Sequence, residues 1–154
     1  MTAVALLACT SAGIGAQAAD PFAGTWVLNI GKSSYPPGTC PKSMVIQMDT
    51  LENGIRYLST TVYANDAVSH AQYEAKYDGK EVLVQGSRGL LLPVSLKRLD
   101  SNTVLATYKR GFKVEATSRR VVSNETRTMT ITTSFSDKDG KLVTTIGVYD
   151  KKEP

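Results

Sequence analysis

Thr128-Met129-Thr130-Ile131-Thr132-Thr133-Ser134-Phe135 puts Met129, Ile131, Thr133 and Phe135 on one side of an extended chain and Thr128, Thr130, Thr132 and Ser134 on the other. Side chains alternate between faces along a strand, so this pattern predicts one face turned to a core and one to water. β-branched residues suit a pleated strand better than a helix. The same alternation recurs on both sides of this stretch. Phe112, Val114, Ala116, Ser118, Arg120 and Val122 share a face opposite Lys113, Glu115, Thr117 and Arg119. Met44, Ile46 and Met48 oppose Val45, Gln47 and Asp49, while Ala71, Tyr73, Ala75 and Tyr77 oppose His70, Gln72, Glu74 and Lys76.

Turn signals separate these segments at short intervals: Asn53-Gly54, Asn65-Asp66, Asp78-Gly79, Asp100-Ser101-Asn102, Arg110-Gly111, Ser123-Asn124 and Asp137 to Gly140. The predicted strands are 23–30, 43–51, 54–64, 68–78, 80–85, 92–99, 103–110, 111–122, 126–136 and 140–151. Hairpin-length connections make sequential strands neighbours. The expected fold is all-β, an antiparallel up-and-down meander closed into an 8- to 10-stranded lipocalin-like barrel, since closure removes the exposed edges.

The 154 residues suit one domain, and 17 Thr with 14 Val lean the same way as the alternation. A single histidine, His70, excludes a metal or haem site built on several histidines, and neither a metal site nor a cofactor is expected. Net charge is +4. The basic residues Lys109, Arg110, Lys113, Arg119 and Arg120 cluster in one hairpin, but Glu115 interrupts them and no aromatics interleave for base stacking. No nucleic-acid partner is expected.

Residues 1–18 are uncharged and rich in Ala, Leu and Gly, and Ala16-Gln17-Ala18 fits a signal-peptidase site with cleavage before Ala19. Met1-Thr2 offers no Lys or Arg, so the chain starts inside a slightly longer signal peptide on this reading. The expected organisation is therefore a signal peptide over 1–18 and one barrel domain over 19–154, periplasmic or secreted. Leu6-Leu7-Ala8-Cys9 loosely resembles a lipobox, which would anchor the chain through Cys9. No stretch has the length of a membrane-spanning helix. Cleavage before Ala19 leaves only Cys40, so no internal disulfide is available, and a monomer or weak dimer is expected.

Past residue 18 the chain opens Asp20-Pro21-Phe22-Ala23-Gly24-Thr25-Trp26-Val27-Leu28-Asn29, which resembles the Phe-x-Gly-x-Trp opening of the calycins, the group of the lipocalins and fatty-acid-binding proteins. The resemblance covers nearly all of residues 20–152 and extends to the small secreted bacterial lipocalin-like proteins. It implies that Trp26 plugs one end of a barrel with an arginine packed across it, for which Arg120 is the candidate. Two departures stand out. Gly31 to Pro41 is too short and proline-bearing to form the two-helix lid of fatty-acid-binding proteins. Their carboxylate-gripping Arg-x-Tyr is replaced by Gly147-Val148-Tyr149, which keeps the tyrosine and loses the arginine.

Arg120 falls on an apolar face, where a guanidinium needs Trp26 and backbone carbonyls or an anionic ligand. Tyr73, Tyr77, Tyr108 and Tyr149 lie on predicted strands beside small residues, and with Met44, Met129 and Phe135 they are the candidates to line a ligand cavity. Alternating large and small side chains could equally fill a tapered barrel. His70 has the phase of a solvated face. On an inverted phase it would pair with Glu74 inside as a general acid and base. Leu90-Leu91-Leu92 is unusually apolar for a connection and reads either as a cap over the mouth or as the inner start of strand 92–99.

Three functions fit. The first is a periplasmic or secreted barrel that holds a small, mostly hydrophobic or amphipathic molecule. The second is a cavity enzyme of isomerase or hydrolase type using a tyrosine or His70 as acid and base. The third is a protein-interaction module of the cell envelope.

Overall fold

The computed structural model describes residues 19–153. The signal-peptide, cleavage-site and Cys9 readings lie wholly or partly outside them. Twelve antiparallel strands form one curled sheet: β1 Gly24–Leu28, β2 Ser43–Leu51, β3 Gly54–Val62, β4 Val68–Lys76, β5 Asp78–Val82, β6 Gln85–Gly86, β7 Gly89–Leu90, β8 Val94–Asp100, β9 Thr103–Arg110, β10 Lys113–Val122, β11 Thr128–Ser136 and β12 Leu142–Lys151. A short 3₁₀ turn at Ile30–Lys32 is the one helical element among the described residues, and no helix there is long and apolar enough to cross a membrane. The fold class is as the alternation predicts, with more strands than expected.

The two additional strands have a local cause. The segment expected as strand 80–85 divides at Leu83-Val84. Its first part, β5, pairs with β8, and its continuation, β6, crosses to pair with β4 at Ala71↔Gly86 and Gln72↔Gln85. The connection after it folds back as β7. Sheet order therefore runs β5-β8-β9-β10-β11-β12-β1-β2-β3-β4-β6-β7, and the two ends of the sheet meet through two residues of chain. Between β4 and β5 there is no ladder, which leaves a seam. The β4–β5 turn falls at Tyr77 rather than at Asp78-Gly79, and Gly79 (φ 78°) sits instead where the β5–β8 register shifts.

Inner and outer faces follow the predicted phases with one exception. Phe112 and Val114 were expected inside with Ala116 and Arg120, but Phe112 is fully exposed at the β9–β10 turn and Val114 faces out. The ladder pairs Val114 with Lys109 and Ala116 with Tyr108, so Glu115 is an extra residue that inverts the alternation. Below that bulge the expected phase holds: Ser118, Arg120 and Val122 are buried. Trp26, Ile46, Leu96, Ala106 and Met129 make the centre of the core.

Where a helical lid would stand, the chain after β1 runs as an irregular loop bound to β12 through Ser34↔Ile146. This brings Tyr35 onto Gly147, where an added Cβ would lie 2.9 Å from the Tyr35 hydroxyl. Glycine at 147 is what lets the loop close against the sheet.

Candidate functional site

The narrow end is sealed by its own sequence. Phe22 N–H donates to Asp20 Oδ1 (3.0 Å), which turns the chain so that Phe22 enters the core, and the Trp26 indole N–H donates to the Phe22 carbonyl (2.8 Å). Asp20 Oδ2 accepts from Arg98 (2.5 Å) and from the Tyr77 hydroxyl (3.0 Å), while the Arg98 guanidinium lies 4.1 Å from the Tyr77 ring centre. Tyr77 thus belongs to this brace, and burial first, with Asp20 beside it, raises its pKa well above the ordinary phenol value. The cation over Trp26 is Lys151, with Nζ 5.1 Å from the ring centre, and not the expected Arg120. Register explains the correction: Lys151 is the ladder partner of Trp26, whereas Arg120 lies between Val104 and Ile131.

Arg120 stands higher in the barrel and is 3% exposed. Its guanidinium lies 5.1 Å from the Tyr57 ring centre, and one Nη donates to the Tyr108 hydroxyl (3.2 Å). Tyr57 and Tyr73 are cross-strand partners whose rings stack at 4.8 Å and 11°. Two polar groups here are buried without a hydrogen-bond partner, the Tyr73 hydroxyl and Arg120 Nε. Among the described residues no carboxylate lies within salt-bridge distance of Arg120. Desolvation works against the charge, yet the phenols of Tyr73, Tyr108 and Tyr57 leave the guanidinium pKa above its ordinary value. For the phenols burial acts in the opposite sense and raises Tyr57, Tyr73 and Tyr149, so all three stay protonated as hydroxyl donors at neutral pH. Tyr149 uses its hydrogen on Met44 Sδ (3.2 Å).

Above this layer the barrel opens into a cavity of about 660 Å³. Tyr57, Ser59 and Thr61 of β3, Ala71 and Tyr73 of β4, Met44, Tyr108, Val84, Leu91 and Leu92 form its wall. Of the residues singled out from the sequence, Met44, Tyr73 and Tyr108 line it, exposed His70 stands at its rim, and Arg120 contacts two of its tyrosines from below. Tyr149 reaches it only through Met44, Met129 is packed in the core, and Phe135 is half-buried away from the wall. Leu91 and Leu92 line the mouth, and Leu90 is exposed.

His70 and Glu74 make no interior pair. Both are exposed on the outer face of β4: His70 Nδ1 lies 3.0 Å from Thr60 Oγ1, and Glu74 accepts from Arg56 (2.7 Å). Tyr57, Ser59, Thr61 and Val84 are wall residues that the sequence reading did not single out. The signal was present in the alternation Ile55, Tyr57, Ser59, Thr61, whose inner face turns from apolar to hydroxyl-bearing.

No protein-family model matches the chain, and no curated protein sequence matches it. Among solved structures it is similar to zebrafish ileal bile acid-binding protein in complex with cholic acid, with a TM-score of 0.58 and 13% identity over 86% of this chain and 99% of that one. The likeness shows the fold alone.

Proposed function

We propose that the barrel binds one small amphipathic molecule, its apolar body in the cavity and an acidic head turned down toward Arg120 and the Tyr73 hydroxyl. The observation that carries this is a buried guanidinium with no counter-carboxylate directly beneath a mostly apolar cavity. A buried charge is ordinarily paired, so one without a counter-carboxylate, lying just behind the tyrosines of a cavity wall, marks where an anion would be drawn. The volume falls in the range of roughly 300–1,000 Å³ that small-molecule sites occupy. The solved relative binds a bile acid, which is itself an apolar body with an acidic end. The character of residues 1–18 supports an extracytoplasmic, periplasmic or secreted setting.

The test is titration with anilinonaphthalene sulfonate, an apolar anion, followed by displacement with fatty and bile acids. The expected outcome is saturable binding at one site per chain, displaced by amphipathic acids and much less by their neutral alcohols. A barrel that takes up no probe, or that prefers the alcohols, would overturn the reading.

A further inference from the structure

The two ends of the barrel differ in what they present to water. The antiparallel meander puts the β3–β4, β6–β7, β9–β10 and β11–β12 turns at the open end. Each of these carries an exposed large apolar side chain at or beside its tip: Tyr63 and Val68, Leu90 and Leu91, Phe112, and Leu142. Phe112 is the extreme case, 107% exposed between Arg110 and Lys113, where the Glu115 bulge has turned the hairpin tip outward. Cations Arg88, Arg110, Lys113, Lys138 and Lys141 stand among these side chains. Most of the acids there are already engaged. Asp66 pairs with Lys42 (2.5 Å), Glu115 is shared by Arg110 and Lys113 at 3.5 Å each, and Asp137 caps its own turn. The turns at the opposite end carry three acids, Glu52, Asp100 and Glu125, against one cation, Arg127, with Leu99 the exposed large apolar side chain nearby among the described residues.

We propose that the open end docks on a bilayer bearing anionic headgroups, Phe112 entering the interface and Arg110, Lys113 and Arg88 facing the lipid phosphates. An exposed aromatic flanked by cations matches the two forces of interfacial binding, burial of apolar surface and attraction to anionic lipid. A second copy meeting mouth to mouth would bring two positive rims together, which the charge pattern opposes. Docking of this kind is weak, reversible and salt-sensitive. It places the cavity mouth against the membrane, and it stands whether or not the cavity takes a ligand.

The test uses the full chain with vesicles of phosphatidylcholine alone or mixed with phosphatidylglycerol. Phe112→Trp and Leu99→Trp variants place a reporting indole at either end, against the constant signal of buried Trp26. With the anionic vesicles, emission of the Phe112→Trp variant is expected to shift to the blue and to escape acrylamide quenching. The Leu99→Trp variant stays quenchable, and about 1 M salt reverses the effect. Phe112→Ala weakens vesicle binding about tenfold, and Arg110→Gln about fivefold at low salt. The proposal fails if the indole at 112 stays quenchable beside anionic vesicles, or if both ends respond alike. It also fails if the indole at 112 is buried only by self-association or by an added protein fraction without lipid.

Discussion

The Arg120 guanidinium lies over the Tyr57 ring, 5.1 Å from its centre, and that aromatic face takes the place of a counter-carboxylate. A cation on a ring is stabilised by about 2 kcal/mol when desolvated, less than burial of the charge costs. Arg120→Met is therefore expected to leave stability unchanged or to raise it by up to about 2 kcal/mol in urea unfolding. The same change should lower affinity for an anionic apolar probe at least tenfold. A variant that is strongly destabilised and still binds the probe would assign Arg120 to structure alone.

Alkaline pH should unfold the barrel. Tyr35, Tyr57, Tyr73, Tyr77 and Tyr149 all have pKa values raised above the ordinary phenol value, burial being the first cause in each. An acid whose pKa is raised on folding keeps its proton longer in the native state, so its contribution is fully present below pH 10 and declines above it. Each such group removes up to about 1.4 kcal/mol per pH unit beyond that point. Tyrosinate absorbance should then rise cooperatively with loss of circular dichroism. Smooth titration of these phenols with the fold intact would contradict their burial.

How far the fold can be read from the sequence depends on whether a segment's environment is set by its own pattern. Met129 to Phe135 and Ala71 to Ala75 each show one face to the core and one to water, and period two suffices there. The bulge at Glu115 is invisible to that reading, because one extra residue inverts the phase without changing composition, so strict alternation puts Phe112 inside. The division at Leu83-Val84 is set by which strand each half finds across the seam, a long-range property. In the site, Arg120 stands out as a charge on an apolar face, but its place over Tyr57 and the identity of the cation over Trp26 follow from register. Ser59 and Thr61 carry no signal of their own, because hydroxyls on an inward face look like solvent-facing residues.

Removing Asp20 should cost more than its surface neighbours suggest. Its side chain is 10% exposed and that of Arg98 27% exposed, and Tyr77 shares the same oxygen. Asp20→Ala leaves a half-buried guanidinium and a phenol without their acceptor, an expected loss of about 2–3 kcal/mol in chemical unfolding. Glu74→Gln, which weakens a solvent-exposed contact with Arg56, should leave the unfolding midpoint where it is. Equal effects from the two would mean that the brace at the narrow end does not hold the plug.

The β6–β7 flap is the part of the wall most weakly held. It meets β4 at two ladder positions, whereas β3 meets β4 at nine. Around those two stand the His70 N–H to Ser87 Oγ bond (2.6 Å), the Gln72 to Gln85 side-chain bond (3.3 Å) and the Leu91 N–H to Val84 carbonyl bond (2.8 Å). Leu91 packs on Gly86, where a Cβ would come within 2.8 Å of it, so the flap is closed by a few contacts that can be released together. Amides of the flap should exchange through local opening about 2–4 kcal/mol easier than global unfolding, and without denaturant dependence. Because Val84, Leu91 and Leu92 form cavity wall, that opening would also admit ligand. Gln72 and Gln85 face each other across the ladder at a separation a disulfide can span. Gln72→Cys with Gln85→Cys, in a Cys9→Ser, Cys40→Ser background, should protect the flap amides when oxidised and slow probe association at least tenfold, with reduction restoring both. Protected amides with an unchanged association rate would place the entry elsewhere, at the open mouth.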